Sequence, residues 1–332
     1  MTTSPASDSR PGFDYFEGFL ITSVLAAIET SGLLALLCED GLDPRIAGSK
    51  HGTGDWSLLE ASLCYLAQRG LVTEDDGVFR ITSLGREASR DVGYLVWLSG
   101  GYGEPLRHLN SFLRGEERYG IDSVRDGHWV ADGTAILSRL DVLPYALELL
   151  EVPSFQRVVD LGCGNARFLI SVCERYGASG VGVDIDPVVC DAAADSIAAA
   201  GLSDRIKVVA GDAVDLDAVP ELDQTQLIVT FFLLHEISSR SRDTLVEFLR
   251  DLGSRLPNGA HLLTGEIGPA RERRATSDRF RPEFTFVHAL MRQRLLTEDE
   301  WRSAFADGGF DVRKVVPMNL PGGFVILAEK VS

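Results

Sequence analysis

Two stretches of this chain carry residue types that can do chemistry. The first is Arg157-Val-Val-Asp160-Leu-Gly162-Cys-Gly164-Asn165-Ala166, a β-prone run that ends in a glycine-rich turn and opens a helix. Glycines let the backbone turn tightly and pass close to a ligand, and the helix start offers unpaired N–H groups. A second run, Val181-Gly-Val-Asp184, ends in an acid 24 residues after Asp160, placed to accept both hydroxyls of a ribose. A third ends Gly211-Asp212-Ala213, with an acid where an adenine amino group needs an acceptor. A nicotinamide site asks for glycine three residues past Gly164, and Arg167 stands there. The second stretch is Phe231-Phe232-Leu-Leu-His235-Glu236-Ile-Ser, which follows the fourth strand of the same pattern. Residues past the carboxyl end of a strand in an open α/β sheet face the ligand crevice. Three roles are open to His235: buried structural residue, general base or metal ligand.

Further residues bear on the same crevice. His288 lies 53 residues on, in the apolar helical segment Phe284-Thr-Phe-Val-His288-Ala-Leu-Met291, where a histidine most often is a satisfied core residue. Arg125, in Tyr119-Gly-Ile-Asp-Ser-Val-Arg125-Asp126-Gly127, offers a bidentate fork to a carboxylate, or pairs with Asp126 or Asp122 at the surface. Tyr94, Trp97 and Tyr102 line an apolar pocket or belong to a core or interface. Glu266 and the run Arg271–Arg274 read as rim and solvated loop.

The elements that must position these residues fall into two halves. At about 150 residues per domain, 332 residues suggest two domains. Helical apolar spacing runs from Phe13 to Cys38 and again over Ser57–Gln68, with Gly70 as its stop. Asp76-Gly77 between Leu71–Thr73 and Val78–Ile81 signals a hairpin. Helix, helix and two-stranded wing read as a winged-helix module over 13–104, after a disordered tail at 1–12. Segment 105–152 reads as a helical connector interrupted by Gly120, Gly127 and Gly133, lining the substrate pocket. After Pro153, strands at 157–161, 181–185, 206–209, 226–231, 260–266, 311–316 and 323–329 alternate with helices, as in a parallel doubly wound sheet. The fold class is therefore α/β, with a Rossmann-like domain at 153–332.

Charge and composition exclude several classes. Lys plus Arg is 32 against 49 Asp plus Glu, a net charge of −17. Residues 1–104 hold 7 cations and 15 acids, and the helix Ser57–Gln68 holds no cation, so nucleic acid is not an expected partner. The polar start Met1–Gly12 and the absence of an 18-residue apolar run predict neither signal peptide nor membrane span. Five cysteines without tight spacing fit a reducing cytoplasm. The apolar surface of the small module is expected to pack on a second copy.

Asp160-Leu-Gly-Cys-Gly-Asn, Gly182-Val-Asp and Gly211-Asp-Ala, in this order and spacing, resemble the class I S-adenosylmethionine (SAM)-dependent methyltransferases. Ala166 stands where that family usually has a third glycine. The resemblance implies that Gly162 and Gly164 flank the methionine part of SAM, Asp184 holds its ribose, and Asp212 and Ala213 lie by its adenine. It adds Asp160, Thr230 and Phe231 to the cofactor site. The winged-helix half is similar to that of dimeric small-molecule methyltransferases, which implies a homodimer whose N-terminal modules exchange helices and close part of the pocket. In O-methyltransferases of this shape the position of His235 is a base. His235-Glu236 together with His288 resembles the metal-dependent 2-oxo acid C-methyltransferases of the phenylpyruvate type, found in antibiotic biosynthesis. That likeness implies nonhaem iron or another divalent metal on His235, His288 and Glu236, with Trp97 and Arg125 in the substrate pocket. The acceptor is then the β-carbon of an aromatic or aliphatic 2-oxo acid, methylated through an enolate that the metal stabilises. Glu236 could complete the metal shell, take the proton or orient His235. The rival enzyme is an O-methyltransferase on a phenol or enol with His235 as base. A SAM-sensing regulator built on the winged helix is the rival outside enzymes.

Overall fold

The computed structural model describes residues 10–50, 54–151, 154–269 and 281–331. The chain divides into two compact units, one of Met1–Glu117 with Ser123–Leu137, the other of Arg118–Asp122 with Ser138–Ser332. Segment 105–152 is thus shared between them. Of the expected tail, residues 1–9 lie outside the described residues.

In the first unit the opening helix spans Pro11–Thr30 and starts at its proline, whose fixed φ suits a first helical position. The apolar run to Cys38 is split at Gly32, in the left-handed conformation with φ 69°, before a second helix at Leu33–Glu39. Helix Trp56–Gln68 is capped by Asp55, whose side chain accepts from the Leu58 N–H, and buries Leu59, Leu63 and Leu66. The expected hairpin is present as β1 (Val72–Asp75) and β2 (Val78–Ile81), with Asp76 and Gly77 both at positive φ as a two-residue turn requires. Leu42 bridges Phe79 as a third rung. Val72, Phe79 and Ile81 close over the helices in one core with Leu25, Leu37 and Leu63. Gly133 does not interrupt a helix, contrary to expectation. It lies inside Gly127–Asp141, where an added Cβ would fall 2.6 Å from the Trp97 main-chain nitrogen, so the glycine is there for close helix packing.

The second unit is built on a seven-stranded sheet of β3 (Arg157–Leu161), β4 (Ser179–Asp184), β5 (Ile206–Ala210), β6 (Leu227–Phe231), β7 (His261–Ile267), β8 (Phe310–Pro317) and β9 (Gly323–Lys330). Their order is β5-β4-β3-β6-β7-β9-β8. The sheet is not parallel throughout as expected: β9 runs antiparallel to both β7 and β8. Only residues 318–322 join β8 to β9, too few for the crossover that a parallel pair needs. The order reverses at β3, where the carboxyl ends open a crevice. On one face Val159, Leu161, Ile228, Leu262 and Ile326 pack with Leu245, Leu249, Trp301 and Phe305 of the helices Arg242–Arg255 and Glu298–Asp307. The helix Arg167–Tyr176 lies on the other face, so close that a Cβ on Gly180 would meet Leu169 at 2.7 Å. Among the described residues no single helix is long and apolar enough to cross a membrane.

Candidate active site

The carboxyl ends of β3, β4 and β5 form one wall through their main chain. Gly162 and Gly164 take φ of 80° and 52°, and Ala166 takes 59°, the conformation of the glycine it replaces. The N–H groups of Gly162 and Cys163 both donate to the Val183 carbonyl, at 2.8 and 3.0 Å. Asp184 then ties the turns together. Its Oδ2 accepts from the Gly164 N–H at 2.9 Å, its Oδ1 from the Asp186 N–H at 3.1 Å, and its carbonyl from the Gly211 N–H at 2.8 Å. The exposed Asp212 accepts from the Val214 N–H and holds its own turn, beside the buried Ala213. Asp160 is almost wholly buried, and that desolvation, with Asp184 adding its charge, pushes its carboxyl up to about 7. Burial likewise pushes the Cys173 thiol up to about 12 and that of Cys163 further, so neither offers a thiolate.

The second wall is built from side chains. His235 sits in the short helix Leu234–Ser238 just past β6, buried, with its Nδ1–H donating to Glu266 Oε2 at 2.8 Å. Glu266 is not the rim residue that the sequence suggests. It is fully buried in β7, and its Oε1 also accepts the N–H groups of Leu234 and His235, at 3.1 and 3.3 Å. These three contacts hold the imidazole in one orientation. His288, on the helix Arg281–Leu290, is buried as well, and its Nδ1–H donates to the Phe284 carbonyl at 2.7 Å. The Phe284 carbonyl can only accept, so His288 carries its hydrogen on Nδ1 toward it, and His235, donating through Nδ1 to Glu266, likewise leaves Nε2 as the nitrogen for other work. The two rings stand edge to face with centroids 5.1 Å apart, and Phe284 stacks on His288 at 4.9 Å.

The pair meets the chemistry of a two-histidine metal site, in which each ligating ring gives its other N–H to a carboxylate or carbonyl. It supplies two donors. Among the described residues no cluster of three His, Cys, Asp or Glu side chains is arranged to hold a metal. Glu236 is half-buried on the same turn as His235, and Glu266 is the carboxylate that orients the ring.

The remaining candidates are placed as follows. Phe231 is half-buried at the end of β6, whereas Thr230 is wholly buried with its hydroxyl unpaired. Trp97 and Arg125 belong to the first unit. Trp97 is buried in the π-helical turn Trp97–Gly101 with its ring 4.5 Å from that of Tyr102, and Tyr94 is buried too. Arg125 is half-buried, while Asp126 caps the next helix by accepting from the His128 and Trp129 N–H groups. Arg271–Arg274 lie outside the described residues. Sequence reasoning missed Glu266; its signal is an acid inside an otherwise apolar strand, Leu262-Leu-Thr-Gly-Glu266-Ile.

Residues 158–254 match the family described as a methyltransferase domain. The chain is 30% identical over 237 residues to the methyltransferase ungE' of Aspergillus campestris, covering 68% of each. It is 27% identical to the 2-ketoarginine methyltransferase of Streptomyces arginensis (88% of this chain, 86% of that one). It is 24% identical to the indolepyruvate C-methyltransferase of Streptomyces griseus (95% and 93%). Among solved structures, human N-acetylserotonin methyltransferase in complex with SAM shares the fold with a TM-score of 0.72 at 18% identity, over 100% of both chains.

Proposed function

The chain belongs to the SAM-dependent methyltransferases, and on that premise we propose that its acceptor is the β-carbon of a 2-oxo acid. The observation that carries this reading is the pair His235 and His288, each anchored through Nδ1 and each presenting Nε2 as its basic nitrogen. Two relatives bear names of methyltransferases for 2-oxo acids, 2-ketoarginine and indolepyruvate, in keeping with it. His235 and His288 would hold a divalent metal such as iron, with Glu236 a further candidate. When bound, the metal supplies Lewis acidity that favours loss of the acceptor's β-proton.

The chain's own groups do the rest. Glu266 holds the His235 ring through Nδ1, so that Nε2 is the nitrogen left to act. Glu236, on the same turn, is the candidate to take the β-proton where it does not join the two histidines. The glycine turn and Asp184 hold SAM, with Asp160, Asp212, Ala213, Phe231 and the Thr230 main chain around it. The acceptor carbon then bonds to the methyl group in line as the methyl–sulfur bond breaks, and the sulfonium leaves as the neutral thioether S-adenosylhomocysteine (SAH). Phe13, Tyr15, Phe16 and Phe19 on the opening helix are 57–78% exposed, and we assign this aromatic face to a homodimer, checked by sedimentation. We also propose a cytoplasmic location, in keeping with five free cysteines.

A second reading has its own support. His235 held by a buried carboxylate is also the arrangement of a general base, which suits O-methylation of a phenol or enol. Mass-detected transfer from SAM to phenylpyruvate, indolepyruvate, 2-ketoarginine and simple phenols, with and without a strong chelator, separates the two. Chelator-sensitive product carrying its methyl on carbon is expected. Chelator-resistant methylation of a hydroxyl overturns the first reading in favour of the second.

A further inference from the structure

The cofactor face of the sheet holds an aromatic pair that the nucleotide contacts leave unexplained. Asp160 pairs in register with Val229, and Phe231 lies two residues further along β6, so its side chain leaves the sheet on the same face as Asp160. At about 3.3 Å of rise per residue, that puts Phe231 about 7 Å beyond Asp160, level with the turn Gly162–Gly164. Its ring meets Phe168 edge to face, with centroids 4.7 Å apart and planes at 78°. Phe168 sits in the first turn of the helix that the glycine turn opens, and both rings keep part of their surface exposed. Gly265 makes room: a Cβ there would fall 2.5 Å from Phe231 Cδ1, so the ring lies directly on β7.

We propose that Phe231 and Phe168 cradle the sulfonium of SAM, and that their π faces let the protein prefer the charged donor over its uncharged product. An aromatic face attracts a cation through its quadrupole, most strongly where water is excluded. It also suits a methyl donor chemically, because an arene beside an electrophilic methyl is inert where a carboxylate could be alkylated. The edge-to-face contact with Phe168 holds the Phe231 ring in place. Methyl transfer removes the positive charge from sulfur, so the attraction ends when the reaction does and favours exchange of SAH for SAM. This inference rests on SAM as donor and is independent of the acceptor.

The test is calorimetric titration of the full-length chain with SAM and, separately, SAH. Phe231→Met keeps the ring's bulk without its π face, and should weaken SAM by about 5–30-fold while moving SAH by less than about 2-fold. Phe168→Leu should act in the same sense by about 2–5-fold. Phe231→Tyr should keep the SAM-to-SAH ratio within about 2-fold of the parent. Site-specific incorporation of mono- and trifluorophenylalanine at position 231 preserves shape while draining the ring's negative face. A stepwise loss of SAM affinity with SAH unchanged is expected there. Equal losses for SAM and SAH, or a ratio indifferent to fluorination, overturn the proposal and leave the pair a packing contact.

Discussion

The two walls of the crevice are made differently. Around Gly162–Gly164 and Asp184 the working groups are main-chain N–H and carbonyl groups, tied by one carboxylate into adjoining turns. Around His235 they are side chains from three separated segments: the turn after β6, the strand β7 and the helix Arg281–Leu290. A site made of backbone needs particular residues at particular spacings, because only certain turns put N–H groups where a ligand can use them. Side chains gathered across a fold need only register and burial. The difference predicts that the first wall governs donor binding and the second governs turnover.

That division can be broken most directly at the histidines. His235→Ala and His288→Ala are each expected to lower turnover at least 10²-fold while SAM affinity, read by calorimetry, stays within about 2-fold. A His288→Ala variant with parental turnover would reduce His288 to a packing residue and leave the work to His235 and Glu266. Next in size, Glu266→Gln removes the anionic partner of Nδ1 and should cost about 10–100-fold in turnover, again with donor affinity kept. Loss of SAM binding in that variant would show that the two walls are coupled.

The donor wall can be sharpened by its acid. The buried Asp160 carboxyl is raised to about 7 in the folded chain, well above its ordinary range of about 4 when unfolded. Folding therefore favours its protonated form, and the stability it contributes is full below about pH 4 and lost as pH rises through 7. Asp160→Asn should stabilise the ligand-free protein by about 2–4 kcal/mol at pH 8, with the gap closing toward pH 4, as urea titrations at the two pH values would measure. Destabilisation at pH 8 would mean that the carboxylate is held ionised. The smallest effect belongs to Ala166, buried and left-handed at φ 59°. Ala166→Gly should relieve about 1 kcal/mol of backbone strain, less what the lost methyl contributed, visible as a small rise in the thermal midpoint.

How much of this can be read without coordinates follows from the same contrast. The glycine turn, the acid ending β4, the Asp76-Gly77 hairpin and the strand positions are local features, and each is legible in a short window. The antiparallel end of the sheet is not, because β9 takes its place by pairing with β7 rather than by any signal of its own. Glu266 is illegible in a short window for the same reason. An acid one residue from the end of a strand looks solvated until Phe324 pairs beside it and the turn carrying His235 donates to its carboxylate. Gly133 reads as a breaker in one dimension and as a contact with Trp97 in three.

The place of β9 has a consequence for how the molecule comes into being. β8 leaves the ribosome before β9, yet β9 lies between β8 and β7. Neither strand can settle in order of synthesis, and the edge of β7 that carries Glu266 stays unpaired until residues 323–330 arrive. Such an open edge on a nascent chain is a site for mispairing with other chains. Glu266, which accepts from the His235 imidazole, is therefore among the last residues to reach its dry surroundings, and a newborn chain completes its sheet only when that strand closes.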